Sequence, residues 1–322
     1  MEPDPIDTYC SALVAQNRAS TAKTVGFVLR PYAAFLATRN VTPATATVAD
    51  MDAYRAHLAG PVASAFAGPL ARSTQIAHLS NIRTFHRWLL RRRLAIINPT
   101  AGMPMPRTVR RVVTHIELDQ QEAQAFLDTA AARVEAEPHG SRAWAVAWRS
   151  LALIALAMAS GRRRAGLRDL RLADVDLERA ELRVEREKGV AGRVLPIARW
   201  AASITAGYIR DARPILARGR DMTWLFPGER AERMGRNEAR AIVDDLHTAT
   251  CAANPDLVNL PGKRITTHSL RVTCARLLFA NGCPIRSVNA ILLHQKLSTT
   301  AAYTPIPVAE LRRVLLGAHP RA

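Results

Sequence analysis

Along the first hundred residues apolar positions recur every three or four residues, the helical period, interrupted by short breaks. The stretch DPIDTYCSALVAQ predicts a first helix, STAKTVGFVLRPYAAFLATR a second and TVADMDAYRAHLA a short third. ARSTQIAHLSNIRTFHRWLLRRR predicts a fourth, with Ser73 or Thr74 as its N-cap. On that helix Ile76, Leu79, Ile82, Phe85 and Leu89 gather into one stripe, which is expected to face a core. Ser80, Thr84, Arg87 and Arg91 fall on the opposite side. Most such faces are merely solvated. This one is small and polar with two arginines and no acid, which suits a helix lying against DNA.

The pattern breaks at NPTAGMPMPRTVRRVVT, a proline-rich basic stretch that reads as an extended linker. A domain boundary is expected near residue 107, giving units 1–107 and 108–322 with the linker reaching to about 113. Beyond it HIELDQQEAQAFLDTAAARVEA and RAWAVAWRSLALIALAMASG predict helices. DLRLADVDLERAELRVEREKGVAGRVLPI then alternates and turns as short strands do, with breaks at Asp176 to Arg179 and at KGVAG. Helical patterns return after Arg199 and run to the end. After PIP, Val308, Leu311 and Leu315 share one face of a short tail helix. The expected class is mainly α with a small antiparallel β-sheet in the second domain.

Length and composition narrow the function. A chain of 322 residues suggests two domains, and 48% hydrophobic residues can fill their cores. The formal charge is +18, with 12 basic against 5 acidic residues up to residue 107 and 33 against 22 beyond it. Both halves are therefore positive, and polyanions are the expected partners, because arginine and lysine release counterions from phosphates. Arginine far outnumbers lysine, and its fork grips phosphate at two points. Cys10, Cys251, Cys274 and Cys283 show no zinc spacing and no disulfide framework. MEPDPIDTYC lacks the basic start and apolar core of a signal peptide, and the apolar run Leu151 to Ala159 is too short to cross a bilayer. A cytoplasmic protein with no membrane partner is expected.

Four stretches carry candidate chemistry. Arg163 follows a helix end in ASGRRRAGLRDLRLADVD, and Lys188 sits at the tip of a predicted hairpin in EREKGVAGRVLPI. His268 and Arg271 lie three apart on a helical turn in ITTHSLRVTCARLL, and LLHQKLSTTAAYTP adds His294 and Tyr303. Taken singly, each is more simply a solvated charge, a helix cap or a core aromatic. Together they match the needs of one reaction at a phosphodiester. A tyrosine can attack phosphorus and store the bond in a phosphotyrosyl ester. Two arginines and a histidine can neutralise the non-bridging oxygens, and a second histidine can take the tyrosine proton. A lysine can protonate the departing 5′ oxygen. Fixed cations of this kind need no metal and no cofactor. Asp174 and Asp176 have no His or Glu nearby and read as turn formers. The surplus arginines among Arg162–Arg164 and Arg91–Arg93 are expected to be solvated or to touch phosphate.

These residues resemble the tyrosine recombinase (phage integrase) family, especially its Xer-type site-specific recombinases. SGRR with LRDLRLADVD is similar to the family's first-arginine motif, KGVAGRVLPI to its lysine hairpin and HSLRVTCARLLFANG to its His-x-x-Arg helix. LLHQKLSTTAAYTPIP is similar to its histidine-to-tyrosine segment, HPRA to Xer tails, and STQIAHLSNIRTFHRWLLRRRLAIINPT to the end of its N-terminal DNA-binding domain. The resemblance implies a two-domain DNA clamp, with Arg163, Lys188, His268, Arg271, His294 and Tyr303 as the active site. It further implies a 3′-phosphotyrosyl intermediate, a Holliday junction and a tetramer on two specific double-stranded DNA sites, formed by this chain or with a related recombinase. The tail would dock into a neighbouring subunit. Three positions depart from the family: Gly166 stands where an acid is common, Val272 where histidine is frequent, and Leu293 where glycine usually precedes the later histidine. A DNA-binding accessory protein of the same fold and a type IB topoisomerase-like relaxing enzyme remain as alternatives.

Overall fold

The structure, a computed structural model, describes residues 4–60, 69–105, 116–184, 192–229 and 231–293. It divides into two compact units, Met1–Val112 and Val113–Ala322.

The first unit is helical. Helix α1 (Pro5–Ala15) begins with Asp4 capping the Ile6 amide, and α2 (Ala19–Ala37) packs beside it. Helix α3 (Val48–Ala59) opens on a capping box between Thr47 and Asp50, which Arg39 reinforces at 3.0 Å. Helix α4 (Arg72–Arg91) contacts all three. Of the expected α4 stripe, Leu79, Ile82, Phe85 and Leu89 are buried, whereas Ile76 is only half-buried. Their partners include Leu29, Leu36, Met51 and Tyr54. His86 is buried as well, its Nε2 2.8 Å from the Tyr32 hydroxyl. The expected N-cap is corrected: α4 starts at Arg72, so Ser73 and Thr74 lie inside the first turn and Ala71 occupies the cap without a side-chain bond.

The second unit wraps around one apolar helix. Helix α5 (Gln120–Glu135) begins five residues after His115, because Asp119 and Glu122 form its capping box. Helix α6 (Arg142–Ser160) is the centre of the core. Its 19 residues would span a bilayer by length and composition, yet two-thirds of its apolar window is buried inside the protein. Arg149, buried within it, pairs with Glu238 at 2.7 Å and donates to the Pro227 carbonyl. A short α7 (Arg164–Arg168) leads to the sheet. Strands β1 (Val175–Asp176), β2 (Glu181–Val184) and β3 (Arg193–Pro196) are antiparallel in that order, with Val175 opposite Leu182 and Leu182 opposite Leu195. Asp174 and Asp176 accept the Arg171 and Arg179 amides and hold the turns.

Helix α8 (Arg199–Gly207) runs through a π-helical turn into α9 (Arg213–Ala217). The expectation that helical patterns run from Arg199 to the end is corrected at 218–229, a loop whose Trp224 bridges to Arg171, and at 254–265, between α10 and α11. Helices α10 (Arg236–Ala253), α11 (Thr267–Ala280) and α12 (Ile285–Ile291) complete the described unit. The expected linker stretch begins inside the first unit, where residues 98–105 form turns with Met103 buried in the core; its remainder (106–114), residues 188–191 of the KGVAG hairpin tip and the tail helix (beyond 293) lie outside the described residues.

Candidate active site

The site is assembled where three element ends meet. The first is the end of α6. Gly161 closes that helix in the left-handed region at φ +57°, and a Cβ there would lie 2.3 Å from Leu292 Cδ2 and 3.2 Å from Cys274 Sγ. Conformation and space both exclude a side chain. This turn delivers Arg162 and then Arg163, which sits half-buried at the N-cap of α7. Arg162, one of the surplus arginines, is buried and so is not one of the solvated ones. A buried guanidinium cannot stay without partners.

The second end is the start of α11. Thr266 and Ser269 cap each other's amides at 3.2 and 3.1 Å and fix the first turn. His268 is exposed there, and Arg271 follows one turn later with only 1% exposure. Arg271 Nη1 donates to the Gly161 carbonyl at 2.6 Å, and its Nη2 donates to the Leu292 carbonyl. One guanidinium thus fastens the turn carrying Arg163 to the chain entering His294. Bonds from a charged donor contribute about 1.5–3 kcal/mol each, so this junction is among the firmer ones in the unit. Cys274 lies against it; burial pushes its thiol up to about 12, the Arg271 charge acting in the opposite direction, so the thiol stays protonated and inert.

The third end is the close of α12. Leu292 is buried with Val272, Ala275 and Val288. Leu293 turns the other way, at φ +52°, and is buried against Val184 and Leu195 of the sheet. A non-glycine residue in that region costs about 1–2 kcal/mol. Full burial of a leucine side chain stabilises by about 1.5–3 kcal/mol, so the packing outweighs the strain.

Arg163, His268 and Arg271 are carried by the first two ends. Lys188, His294 and Tyr303 lie outside the described residues, Lys188 in the segment joining Val184 to Arg193 and His294 directly after Leu293. Ser80, Thr84, Arg87 and Arg91 are all exposed on one side of α4 in the first unit. The other four tyrosines, Tyr9, Tyr32, Tyr54 and Tyr208, are buried in cores. Burial raises all four hydroxyls, Tyr54 to about 12, so none is available as a nucleophile.

The sequence reading missed a basic cluster beside the Arg163 turn. Arg168 donates to the Met234 carbonyl, and Arg171 and Arg233 lie over the Trp224 ring at 5.8 and 5.0 Å. Burial lowers the Arg168 pKa, and the charges of Arg233, Arg236 and Arg164 add to that while Asp169 opposes. Only Trp224 in TWLFPG signalled this arrangement, and a lone tryptophan in a loop is a weak signal. Among the described residues no three His, Cys, Asp or Glu side chains are grouped to hold a metal ion.

Residues 117–308 match the model of the phage integrase family. The chain is 33% identical over 253 residues to the tyrosine recombinase XerC of Mycobacterium sp. (strain KMS), covering 78% of each protein. It is 31% identical over 294 residues to the XerC of Pelobacter propionicus, covering 91% of this chain and 87% of that one. Among solved structures it is similar to the XerH site-specific recombinase bound to a palindromic difH substrate in a post-cleavage complex, with a TM-score of 0.62 and 15% identity over 98% of this chain and 84% of that one.

Proposed function

Since the chain belongs to the phage integrase family and is a tyrosine-type site-specific recombinase, we propose that it breaks and rejoins DNA through Tyr303, with Arg163, Lys188, His268, Arg271 and His294 around the phosphate. The Tyr303 oxygen attacks phosphorus, the bond from phosphorus to the 5′ oxygen breaks, and a 3′-phosphotyrosyl link remains. Lys188 gives the departing 5′ oxygen its proton. Arg163 and Arg271 hold charge on the non-bridging oxygens with one of the two histidines, and the other histidine accepts the tyrosine proton. A 5′ hydroxyl from a second duplex then attacks the phosphotyrosyl ester, which releases the tyrosine and exchanges the strand. Repeating this on the other strands takes the reaction through a Holliday junction.

The observation that carries this reading is the Arg271 junction, which ties the Arg163 turn and the entry to His294 to the helix bearing His268. The burial of every other tyrosine supports Tyr303 as the nucleophile. The exposed polar face of α4 and the positive charge of both halves support duplex DNA as partner. We assign 1–107 as the DNA-binding unit and 108–322 as the catalytic one, acting as a tetramer of this chain or with a related recombinase on two sites.

The test is a suicide substrate that loses a short 5′ fragment on cleavage. A covalent adduct should form on the recombination site and be missing with Tyr303→Phe. Adduct formation by Tyr303→Phe equal to that of the native chain would refute the assignment. Relaxation of supercoiled DNA without exchange between two sites would move the activity to the topoisomerase class.

A further inference from the structure

The place of Leu293 in the fold gives it a task beyond the six residues above. It occupies a left-handed position (φ +52°) at the end of α12, and its side chain is buried on Val184 and Leu195. Val184 is the last residue of β2 and pairs with Arg193, the first of β3; Leu195 follows on the same strand. Leu293 therefore shares one buried cluster with both strands from which the segment with Lys188 departs, while the next residue in the chain is His294. The residue before it is anchored separately, because the Leu292 carbonyl accepts from Arg271 and the Leu292 side chain packs with Val272, Ala275 and Val288. Removing the Leu293 side chain would leave α12 held and release the strand pair.

We infer that Leu293 is a positioning residue: an apolar clamp that fixes the ends of the lysine-bearing β2–β3 hairpin against the chain entering His294. This rests on the reading of Lys188 as the general acid. A glycine at 293 would relieve the backbone but leave the hairpin without this contact, so a leucine there uses an unfavourable conformation to gain an anchor.

The test compares Leu293→Ala, Leu293→Asn and Leu293→Met in the full chain. Asparagine tolerates the left-handed region but cannot pack on Val184 and Leu195, so it separates backbone comfort from the clamp. Cleavage of saturating half-site DNA should slow roughly 10- to 100-fold in the Ala and Asn variants, with DNA affinity unchanged and Leu293→Met close to native. Most of that loss should disappear when the bridging 5′ oxygen is sulfur, a leaving group that needs no proton. A loss of equal size on both substrates, or an Asn variant as fast as the native chain, would overturn the clamp. Hydrogen exchange at the Leu182, Val184, Arg193 and Leu195 amides supplies a readout independent of chemistry. It should quicken in the Ala and Asn variants and not in Leu293→Met; unchanged exchange overturns the proposal. If Lys188→Ala itself gains nothing from sulfur, the reading of Lys188 falls, and the exchange result alone decides on Leu293.

Discussion

Gly161 offers the sharpest quantitative check on the site, because two separate penalties meet in one methyl group. In Gly161→Ala the new carbon would start 2.3 Å from Leu292 Cδ2, where carbons in contact prefer about 3.5–4.0 Å. Leu292 cannot simply yield, since its side chain fills a small cluster and its carbonyl holds Arg271. Overpacking of this kind costs about 1–3 kcal/mol. The left-handed backbone at φ +57° adds about 1–2 kcal/mol for alanine, and the reduced freedom of the unfolded chain returns about 0.4–1 kcal/mol. The net loss is roughly 2–4 kcal/mol. In a unit of this size each kcal/mol lowers the melting temperature by about 2–4 °C, so the transition of the second unit should fall by roughly 5–15 °C.

Thermal unfolding followed by circular dichroism measures this, and a double-mutant cycle separates the two terms. Leu292→Val removes the δ carbons that the new methyl would meet. In that background Gly161→Ala should cost chiefly its backbone part, about 1 kcal/mol, with the tight approach to Cys274 Sγ at 3.2 Å left in place. The cleavage rate should drop with stability in the single variant, because the Gly161 carbonyl is one of the two acceptors that hold Arg271. A melting temperature within about 2 °C of native, or the same cost in both backgrounds, would refute the reasoning.

Other expectations concern the proposed chemistry and the first unit. Lys188→Ala should slow cleavage by roughly 10²–10⁴ and recover on a substrate with a bridging 5′ sulfur, whereas Arg163 or Arg271 variants should recover little; equal slowness of Lys188→Ala on both substrates would remove it as the acid. Arg87→Ala and Arg91→Ala should each weaken duplex binding and flatten its dependence on log salt by about one contact, without slowing cleavage of bound DNA; unchanged binding in both and in the double variant would dismiss the α4 face. Burial holds the His86 ring down at about 4, below its ordinary 6.5, so the unfolded chain takes up the proton first on acidification. The first unit should therefore be flat in stability above about pH 6.5 and lose about 3 kcal/mol as pH falls toward 4, with that portion of the slope missing in His86→Gln.

How far these features were legible in the sequence depends on whether local rules decided them. The four helices of the first unit and the β1–β2 turn were readable because caps and periodicity are local: Asp4, Thr47 and Asp176 each bond within three residues of themselves. The α4 stripe was readable for the same reason, although His86 was not, since a buried histidine becomes acceptable only once Tyr32 is brought to it. The misplaced start of α5 shows a local rule overlooked, because Asp119 and Glu122 spell a capping box in plain sight. The loop at 218–229 and the placing of Arg171 on Trp224 were beyond reach, because they depend on pairing across 53 residues; Arg233, nine residues from Trp224, joins the same ring only once that loop is formed. The same is true of Arg271. Its spacing from His268 was visible, but its hold on Gly161 and Leu292 joins elements 110 and 21 residues away.

The three departures from the family then acquire a common physical sense. Val272, where histidine is frequent, lies in the apolar cluster with Leu292; Leu293, where glycine is usual, lies in the cluster with Val184 and Leu195; and Gly166 is buried in α7. At all three positions a polar or unconstrained residue of the family is replaced by one that belongs to a packed interior. Support of the site by packing behaves differently from support by charge. It is indifferent to moderate salt, whereas attraction between the +18 chain and DNA falls steeply with it. Raising the ionic strength should therefore weaken binding while leaving the rate of cleavage in the bound complex nearly constant. A polar support built from exposed ion pairs would lose both together. On the proposed mechanism the departures would redistribute the work around the phosphate: arginine and histidine would meet its charge, while Val272 and Leu293 pack the chain segments beside them.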